Sequence, residues 1–278
     1  MRVKGCGENA RQGFPNMQNA EMLAPFEAMA GVIKERAKGR QVVFLPNSGN
    51  WGDGLIRYAA KRFLHDHGVI HFEVNIGKQP QGRFLLMPFL LQPRKYLFIY
   101  SGGSAWGHNY RHAYDIVSFI SRFTDNIVVL PSTFFHDAPK AKGALFRRDE
   151  FESREFCPRS TFCHDIAFYL MARGLRYDFG PAEVEEGLIY RHDKESSRRF
   201  GGIEGALDLS GLGNQMSNGD DFLREIARYG RITTDRLHVG IGASILGRPV
   251  ALYSGSDFKI GAIYKSSMTH LANVRFMD

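Results

Sequence analysis

The stretch that organises the chain runs from Arg231 to Tyr253 and reads RITTDRLHVGIGASILGRPVALY. Its pattern predicts a short strand, a polar turn, a helix with apolar residues at helical spacing, a Gly-Arg-Pro stop and a second buried strand. In such a unit the turn after the first strand lies at the carboxyl edge of a parallel sheet, and the helix N-terminus carries partial positive charge. We therefore expect Asp235, Arg236 and His238 to lie where an anionic ligand binds, with one of residues 233–235 capping the helix. The alternative is an ordinary surface arginine next to a hydrogen-bonded polar histidine.

Length and composition predict a globular protein. The chain has 278 residues, 44% of them hydrophobic, which is enough for one large or two modest domains. It contains no run of about 18 apolar residues, and residues 1–20 lack the apolar run of a signal peptide. These features predict a soluble, cytoplasmic protein. Cys6, Cys157 and Cys163 lack the paired spacing of a zinc site, so we expect reduced thiols and no metal.

The charge of the chain favours anionic partners. The formal net charge is +7, which suits nucleic acid, an acidic membrane surface, or small molecules that carry phosphate or carboxylate. The basic residues are scattered instead of forming one stripe, and no RNA-binding aromatic signature occurs. We therefore expect no nucleic-acid partner.

The alternation of strand, polar turn and helix recurs in the first half of the chain. An amphipathic helix is predicted at 21–38, and buried strands are predicted at 41–46, 95–100 and 126–133, each ending in a turn rich in glycine, proline or serine. Further helices are predicted at 55–67 and 109–123. An open parallel sheet gathers such turns at one edge. The turns predicted to form one cleft are 46–53, 101–108, 131–136 and 233–238.

The pattern starts again at Gly143 in the second half. We expect a strand at 143–148, a short apolar run at 187–190 within a polar segment that is either an excursion or the entry to a second sheet, a strand at 205–210 and a helix at 220–229 before the opening unit. Together the two sets predict an α/β fold with two Rossmann-like domains facing a cleft. Their predicted bounds are 21–140 and 141–278.

Several short motifs follow one another along this framework. They are Gly49-Asn50-Trp51-Gly52-Asp53, Gly102-Gly103, Leu130-Pro131-Ser132-Thr133, Arg148-Asp149 with Ser153 beyond, His164-Asp165-Ile166-Ala167-Phe168, Thr234-Asp235-Arg236-Leu237-His238 through Gly247-Arg248-Pro249-Val250, and Lys259. In this order they resemble the polysaccharide pyruvyl transferase family, over roughly residues 41–265. The resemblance implies a fold similar to glycosyltransferases of the B type. It also implies transfer of the pyruvyl group of phosphoenolpyruvate onto two hydroxyls of a sugar, giving a ketal, with no cofactor beyond that co-substrate.

The donor would bind on the C-terminal domain and the sugar on the N-terminal one. Phosphoenolpyruvate carries a phosphate and a carboxylate, which Arg236, Arg148 and a helix N-terminus can hold through charge-assisted hydrogen bonds. His238 is our candidate to protonate the methylene carbon, the alternative being that it only binds the phosphate. Asp53 is our candidate to accept a proton from an attacking hydroxyl, the alternative being a helix cap.

Other residues are expected to bind substrate. Trp51 and Trp106 offer faces for stacking on a sugar, the alternative being two buried aromatics. The remaining candidates are Asn50, His108, Ser132, Leu237 and Lys259.

Two other classes stay open at this stage. A glycosyltransferase of the same architecture would use a nucleotide-sugar donor, and a non-catalytic glycan-binding protein would not need two converging arginines. The sequence leaves open whether the acceptor sugar is attached to lipid, which would bring the protein to the inner face of the membrane.

Overall fold

Two parallel β-sheets, one from each half of the chain, form the framework of the protein. The computed structural model describes residues 17–104, 106–107, 110–135, 141–193, 196 and 203–277. The strands are β1 (Gln41–Leu45), β2 (His71–Glu73), β3 (Tyr96–Tyr100), β4 (Ile127–Ser132), β5 (Ala144–Arg147), β6 (Thr161–Phe162), β7 (Val184–Ile189), β8 (Tyr229–Thr234), β9 (Val250–Tyr253) and β10 (Val274–Met277). The first sheet has the order β2-β1-β3-β4-β5-β6 and the second β10-β9-β8-β7. All neighbouring strands are parallel.

Helices cover both sheets. They are α1 (Met17–Ala37), α2 (Trp51–Asp66), α3 (Met87–Leu90), α4 (His112–Ile120), α5 (Glu152–Phe156), α6 (Phe168–Ala172), α7 (Gly219–Ala227), α8 (Leu237–Ile245) and α9 (Lys259–Ser267), with 3-10 turns at Pro80–Leu86, Pro93–Lys95 and Leu209–Leu212. Within the described ranges, no helix is both long and apolar enough to cross a membrane.

Each face of the first sheet packs into its own apolar core. Alternate residues of a strand point to opposite faces. Val42 and Phe44 of β1 lie in a core that contains residues of α1 and α2 and extends to the second sheet, whereas Val43 and Leu45 lie in a core with residues of α3 and α4. Burial on both faces explains why the strands of this sheet read as continuous apolar runs.

The arrangement confirms the predicted fold class of two parallel α/β sheets. One predicted strand is wrong: in 205–210, only an isolated bridge from Leu207 to Ile189 forms, and a 3-10 turn starts at Leu209. The reason is local, because the Asp208 side chain accepts a hydrogen bond from the backbone N–H of Ser210 and so favours a turn. Helix α2 also begins four residues earlier than predicted, at Trp51, because Asn50 caps it.

The sheets do not divide at the predicted boundary between residues 140 and 141. Strands β5 and β6 pair with β4, so the first sheet continues to Phe162. The second sheet starts at Val184 with β7. By strand pairing, the change of sheet therefore falls between these two residues.

The order of the first sheet creates a crevice at its carboxyl edge. The chain leaves β1 toward β2 on one side and returns to β3 on the other side of β1. In parallel α/β sheets, ligands bind at such a switch point, outside the carboxyl ends of the strands. The turn after β1 and the turn after β3 are therefore placed to line a site.

Candidate active site

A cavity of about 350 Å³ lies between the carboxyl edges of the two sheets. The first sheet and the segments that follow its strands line it with Asn47, Ser48, Gly49, Asn50, Gly52, Asp53, Lys78, Ser104, Tyr110, His112 and Arg148. The second half contributes Arg191, Asp193, Leu209, Ser210, Phe222, Arg236, Leu237, His238, Val239 and Lys259. The predicted turns 46–53, 101–108 and 233–238 thus meet at one cleft, and five cations but only two carboxylates are among its lining residues.

On the C-terminal side, the N-terminus of α8 faces the cavity. Its N-cap residue is Arg236, and no side chain from the described part of the chain caps the helix. The cap expected from residues 233–235 does not form, because Thr234 Oγ1 instead donates to Ile189 O at 2.6 Å and accepts from the backbone N–H of Arg236 at 3.0 Å. An uncapped helix N-terminus next to a cavity is an anion-binding feature.

The guanidinium of Arg236 is buried and anchored from one side. Its NH2 group donates to a carboxylate oxygen of Asp208 at 2.6 Å and to Ser210 Oγ at 3.0 Å, and lies 3.6 Å from Asp193. Burial alone would raise the pKa of Asp208, but the contacts with Arg236 lower it to about 2. The Nε of Arg236 is buried and has no hydrogen-bond partner among the described residues. Arg236 as a residue lines the cavity, so its guanidinium combines one anchored nitrogen with one N–H that lacks a partner in the described part of the chain.

Arg148, Asp165 and His238 form a buried charged cluster. Arg148 is 1% exposed, and its guanidinium donates to Thr133 Oγ1 at 2.8 Å and to Asp165 Oδ2 at 2.6 Å. The same Oδ2 lies 3.7 Å from His238 Nε2, which is within ion-pair distance but too long for a hydrogen bond. Burial would raise the pKa of Asp165, but His238 and Arg148 hold it well below its usual range. The imidazole therefore lies beside a permanently ionised carboxylate.

His238 also packs against the loop from the first half of the chain. A Cβ placed on Gly52 would lie 2.7 Å from His238 Nδ1 and 3.0 Å from His238 Cβ. Such distances are too short for any side chain. Glycine at this position lets the start of α2 approach the start of α8, so both helix N-termini reach the same cavity.

On the N-terminal side, Asp53 is held by two hydrogen bonds. Its Oδ2 accepts from the backbone N–H of Asn50 at 2.9 Å, completing a capping box in which Asn50 Oδ1 accepts from the Gly52 N–H. Its Oδ1 accepts from Asn47 Nδ2 at 2.7 Å. Asp53 is thus the third residue of the helix and not its N-cap. A carboxylate has about four acceptor sites, so these bonds leave room for a substrate hydroxyl.

Asn47 is fixed in turn by two buried side chains. Tyr100 OH donates to Asn47 Oδ1 at 2.9 Å, and His112 Nε2 lies 2.8 Å from the same oxygen. Because the Asn47 amide nitrogen donates to Asp53, its oxygen faces His112, so Nε2 of His112 carries the proton. Burial lowers the pKa of His112, and burial together with the charge of Asp53 raises the pKa of Tyr100. Both groups remain donors near neutral pH.

Some of the sequence candidates reach the cavity and others do not. Those that line it are Asn50, Asp53, Arg148, Arg236, Leu237, His238 and Lys259. Ser132 is buried in β4, and its hydroxyl donates to Leu130 O. His108 lies outside the described residues. The candidates assigned to the donor, Arg148, Arg236, His238 and Lys259, therefore lie around one cavity.

The stacking role expected of the two tryptophans does not fit their positions. The ring of Trp51 packs edge-on against Phe222, with centroids 5.4 Å apart, and Trp106 packs against Phe134 at 5.0 Å. Both indoles belong to the apolar cores. The alternative of two buried aromatics describes them, because their side chains are 8% and 2% exposed.

Several residues of the site were not expected from the sequence. Asn47 and His112 form the support of Asp53, Asp165 links Arg148 to His238, and Asp208 anchors Arg236. Of these, only Asp165 lies in one of the motifs that carry the family resemblance, and that motif was the available signal. The others depend on contacts between distant parts of the chain.

The fold and the cavity define a class: α/β proteins of two parallel sheets with a cationic cleft between their carboxyl edges. The sequence profile named "Polysaccharide pyruvyl transferase" matches residues 50–257, and the chain belongs to that family. A comparison with curated proteins finds no significant match.

Solved structures support the fold. An uncharacterized protein from Klebsiella pneumoniae subsp. pneumoniae NTUH-K2044 superposes with a TM-score of 0.73 at 20% identity, over 92% of this chain and 99% of that one. A UDP-GlcNAc 2-epimerase from Methanocaldococcus jannaschii, solved with UDP-GlcNAc and UDP, is similar over 76% of this chain and 83% of that one, with 10% identity and a TM-score of 0.41. The first likeness concerns the fold alone, and the second is too weak to support an argument.

Proposed function

We propose that this protein transfers the pyruvyl group of phosphoenolpyruvate onto two hydroxyls of a sugar in a polysaccharide or its precursor. The single observation that carries the proposal is the position of α8 and Arg236 at one cavity wall, where, among the described residues, no side chain caps the helix and none pairs with the buried Nε of Arg236. Both features bind oxyanions through N–H donors. Phosphoenolpyruvate offers two oxyanion groups, and family membership supports a pyruvyl donor in general terms.

The donor is proposed to bind on the second sheet and the sugar on the first. Arg236 and the backbone N–H groups at Leu237 and His238 would hold the phosphate, with Arg148 and Lys259 nearby in the same lining. The sugar would face Asp53 and Asn50 at the start of α2. Arg148 would reach the donor from the end of β5 in the first sheet, so both sheets contribute to the donor side and the reacting carbon lies between them.

Proton transfers complete the reaction. A proton delivered to the methylene carbon turns it into a methyl group and leaves a cationic C2, which the first sugar hydroxyl attacks. Phosphate then leaves, and the second hydroxyl closes the ketal. The two hydroxyl protons end on the methyl group and on phosphate, so the reaction balances without an added reductant or oxidant.

His238 and Asp53 are proposed for these transfers. Asp165 lies 3.7 Å from His238 Nε2, and a histidine that lines the cavity is a suitable group for proton transfer. Asp53, oriented by Asn47, would accept the hydroxyl proton. Both proton transfers require a side chain at the cavity, and His238 and Asp53 both line it.

Ligand-dependent melting with a coupled turnover assay tests the proposal. A ligand that binds only the native state raises the melting temperature. We expect phosphoenolpyruvate to raise it, whereas UDP-sugars leave it unchanged, and we expect phosphate release from phosphoenolpyruvate only when a sugar acceptor is present. Stabilisation by a nucleotide-sugar alone would favour a glycosyltransferase. Binding of glycans without either donor would favour a binding protein.

A further inference from the structure

One flank of the first sheet exposes large apolar side chains next to cations. Phe72 of β2, Phe84 and Leu85 of the 3-10 turn, and Leu91 are between 55% and 74% exposed. Arg83, Arg94 and Lys95 on the same segment are exposed as well. We call these seven residues the flank surface.

Strand register places Phe72 on the face of the first sheet that residues 80–91 cover. Phe72 pairs with Val43, so the two side chains point to the same face of the sheet. Val43 belongs to the core that also contains Leu86 and Leu90. Residues 80–91 therefore cover the face from which Phe72 projects at the sheet edge. An apolar surface at an edge strand that carries large exposed side chains indicates a partner.

The charge pattern identifies the kind of partner. No aspartate or glutamate occurs from Val74 to Tyr114, whereas Lys78, Arg83, Arg94, Lys95 and Arg111 do. The last acidic residue before this stretch, Glu73, is neutralised by Arg57 and Lys61. A segment that combines exposed Phe and Leu with cations and contains no carboxylate matches an anionic lipid interface, where apolar groups enter the headgroup region and cations attract acidic lipids.

We propose that the flank surface docks the protein on anionic membrane. The docking is peripheral, through side chains of one edge of the first sheet. The segment also continues to Lys78, which lines the cavity, so the docked face adjoins the mouth of the site. Vesicle binding requires neither phosphoenolpyruvate nor acceptor, so the docking proposal is tested independently of the proposed pyruvyl transfer.

Vesicle sedimentation tests the docking. We expect the full chain to sediment with vesicles of equal parts phosphatidylglycerol and phosphatidylcholine, but not with phosphatidylcholine alone. Raising the salt from about 0.1 M to 1 M shortens the Debye length from about 10 to 3 Å and should release the protein. Failure of the wild-type chain to sediment, or equal sedimentation with both vesicles, would overturn the proposal.

Two combined variants separate the apolar and the charged contributions. The first carries Phe84→Ser, Leu85→Ser and Leu91→Ser, and the second carries Arg83→Gln, Arg94→Gln and Lys95→Gln. Each lost cation should weaken partition about fivefold, so the second variant should lose on the order of 100-fold. The first variant should also bind these vesicles more weakly than the wild type, because it lacks the apolar side chains that enter the headgroup region.

Matched controls lie outside the flank surface. Phe151→Ser removes an equally exposed aromatic side chain, and the combination Arg154→Gln, Arg224→Gln and Arg275→Gln removes the same charge from exposed positions. Equal loss in these controls would show a general charge effect and overturn the proposal. Light scattering measures the oligomeric state of the same proteins. If the wild type is a dimer that does not bind vesicles, and the triple Ser variant is a monomer, the flank surface is an interface with a second copy of the chain and the membrane proposal is wrong. Unchanged melting curves establish that each variant is folded.

Discussion

Replacement of Arg236 by lysine separates the charge of this side chain from its hydrogen-bonding geometry. In the structure one guanidinium nitrogen is occupied by Asp208 and Ser210, while Nε is buried and unpartnered in the described part of the chain. A lysine ammonium can replace the contact with Asp208, but it cannot at the same time present a second N–H at the position of Nε. Arg236→Lys should therefore keep the fold and the charge and lose one ligand contact.

The size of that loss follows from the kind of contact. A hydrogen bond between charged groups contributes about 1.5 to 3 kcal/mol. At about 1.4 kcal/mol per tenfold change, this raises the dissociation constant for phosphoenolpyruvate by roughly 10- to 150-fold. Isothermal titration at constant ionic strength measures it directly. Inorganic phosphate, titrated in parallel, shows whether the lost contact is to the phosphate or to the carboxylate.

Arg248→Lys is the matched control. Arg248 follows the same helix and donates to Ala227 O, away from the cavity. This variant should bind phosphoenolpyruvate as the wild type does. If Arg236→Lys also binds with wild-type affinity, the cavity wall at α8 is not the donor site, and the assignment of Arg236 is wrong.

Three further substitutions and one change of pH test other residues of the site. His238→Gln keeps a hydrogen-bonding group but no titratable proton, so kcat should fall about 100- to 10,000-fold with little change in phosphoenolpyruvate affinity if His238 is the acid. Asp53→Asn should lower turnover by a similar factor in a phosphate-release assay, with donor binding near normal and a loss of about 0.5 to 2 kcal/mol of stability from the weakened cap. Asp165→Asn leaves Arg148 buried without its carboxylate and should lower the free energy of unfolding by about 3 to 5 kcal/mol in urea titrations. Asp208 should also make the free energy of unfolding depend on pH, because its pKa is about 2 in the folded protein against an ordinary value of 3.8. The stabilisation by its ion pair is therefore fully present above about pH 4 and is lost as the pH falls toward 2.

Surface variants provide the controls for this group. His65 and Asp178 are exposed, so His65→Gln and Asp178→Asn should leave turnover and unfolding unchanged. An affinity loss greater than the rate loss in His238→Gln would make His238 a ligand and not an acid. A fall in stability with unchanged turnover per folded molecule in Asp53→Asn would reduce Asp53 to a capping residue. The fall in the free energy of unfolding that Asp208 causes on acidification should be absent from Asp208→Asn.

The sequence predicts those features that local patterns determine. The buried runs at β1, β3 and β4 and the unit from β8 to β9 are recognisable because strands of a two-sided parallel sheet are apolar throughout and end in polar turns. Arg236 and His238 could be placed because they follow such a strand within two to four residues. The edge strand β2 is short, with half-exposed residues, and carries no such pattern.

The rest depends on contacts that no local pattern contains. Asn47 reaches His112 across 65 residues, and Gly49 reaches Gln215 across 166. The error at residues 205–210 has the same origin, since Asp208 is used to cap a turn and to bind Arg236 in place of extending a strand. Trp51 and Trp106 could not be separated into stacking faces or core residues, because the direction of a side chain after a strand end is set by the helices that pack there.

The pairing of the cavity cations determines how the site can select a ligand. They pair as Arg148 with Asp165, Arg191 with Asp193, and Arg236 with Asp208. Each carboxylate offsets one positive charge and at the same time fixes the orientation of a guanidinium, which reduces the ordering cost of binding. Much of the positive charge at the lining is therefore already compensated before any ligand arrives. For the proposed dianionic donor we therefore expect the N–H groups at the start of α8 to contribute to selection through their fixed positions, in addition to the charge of Lys78 and Lys259.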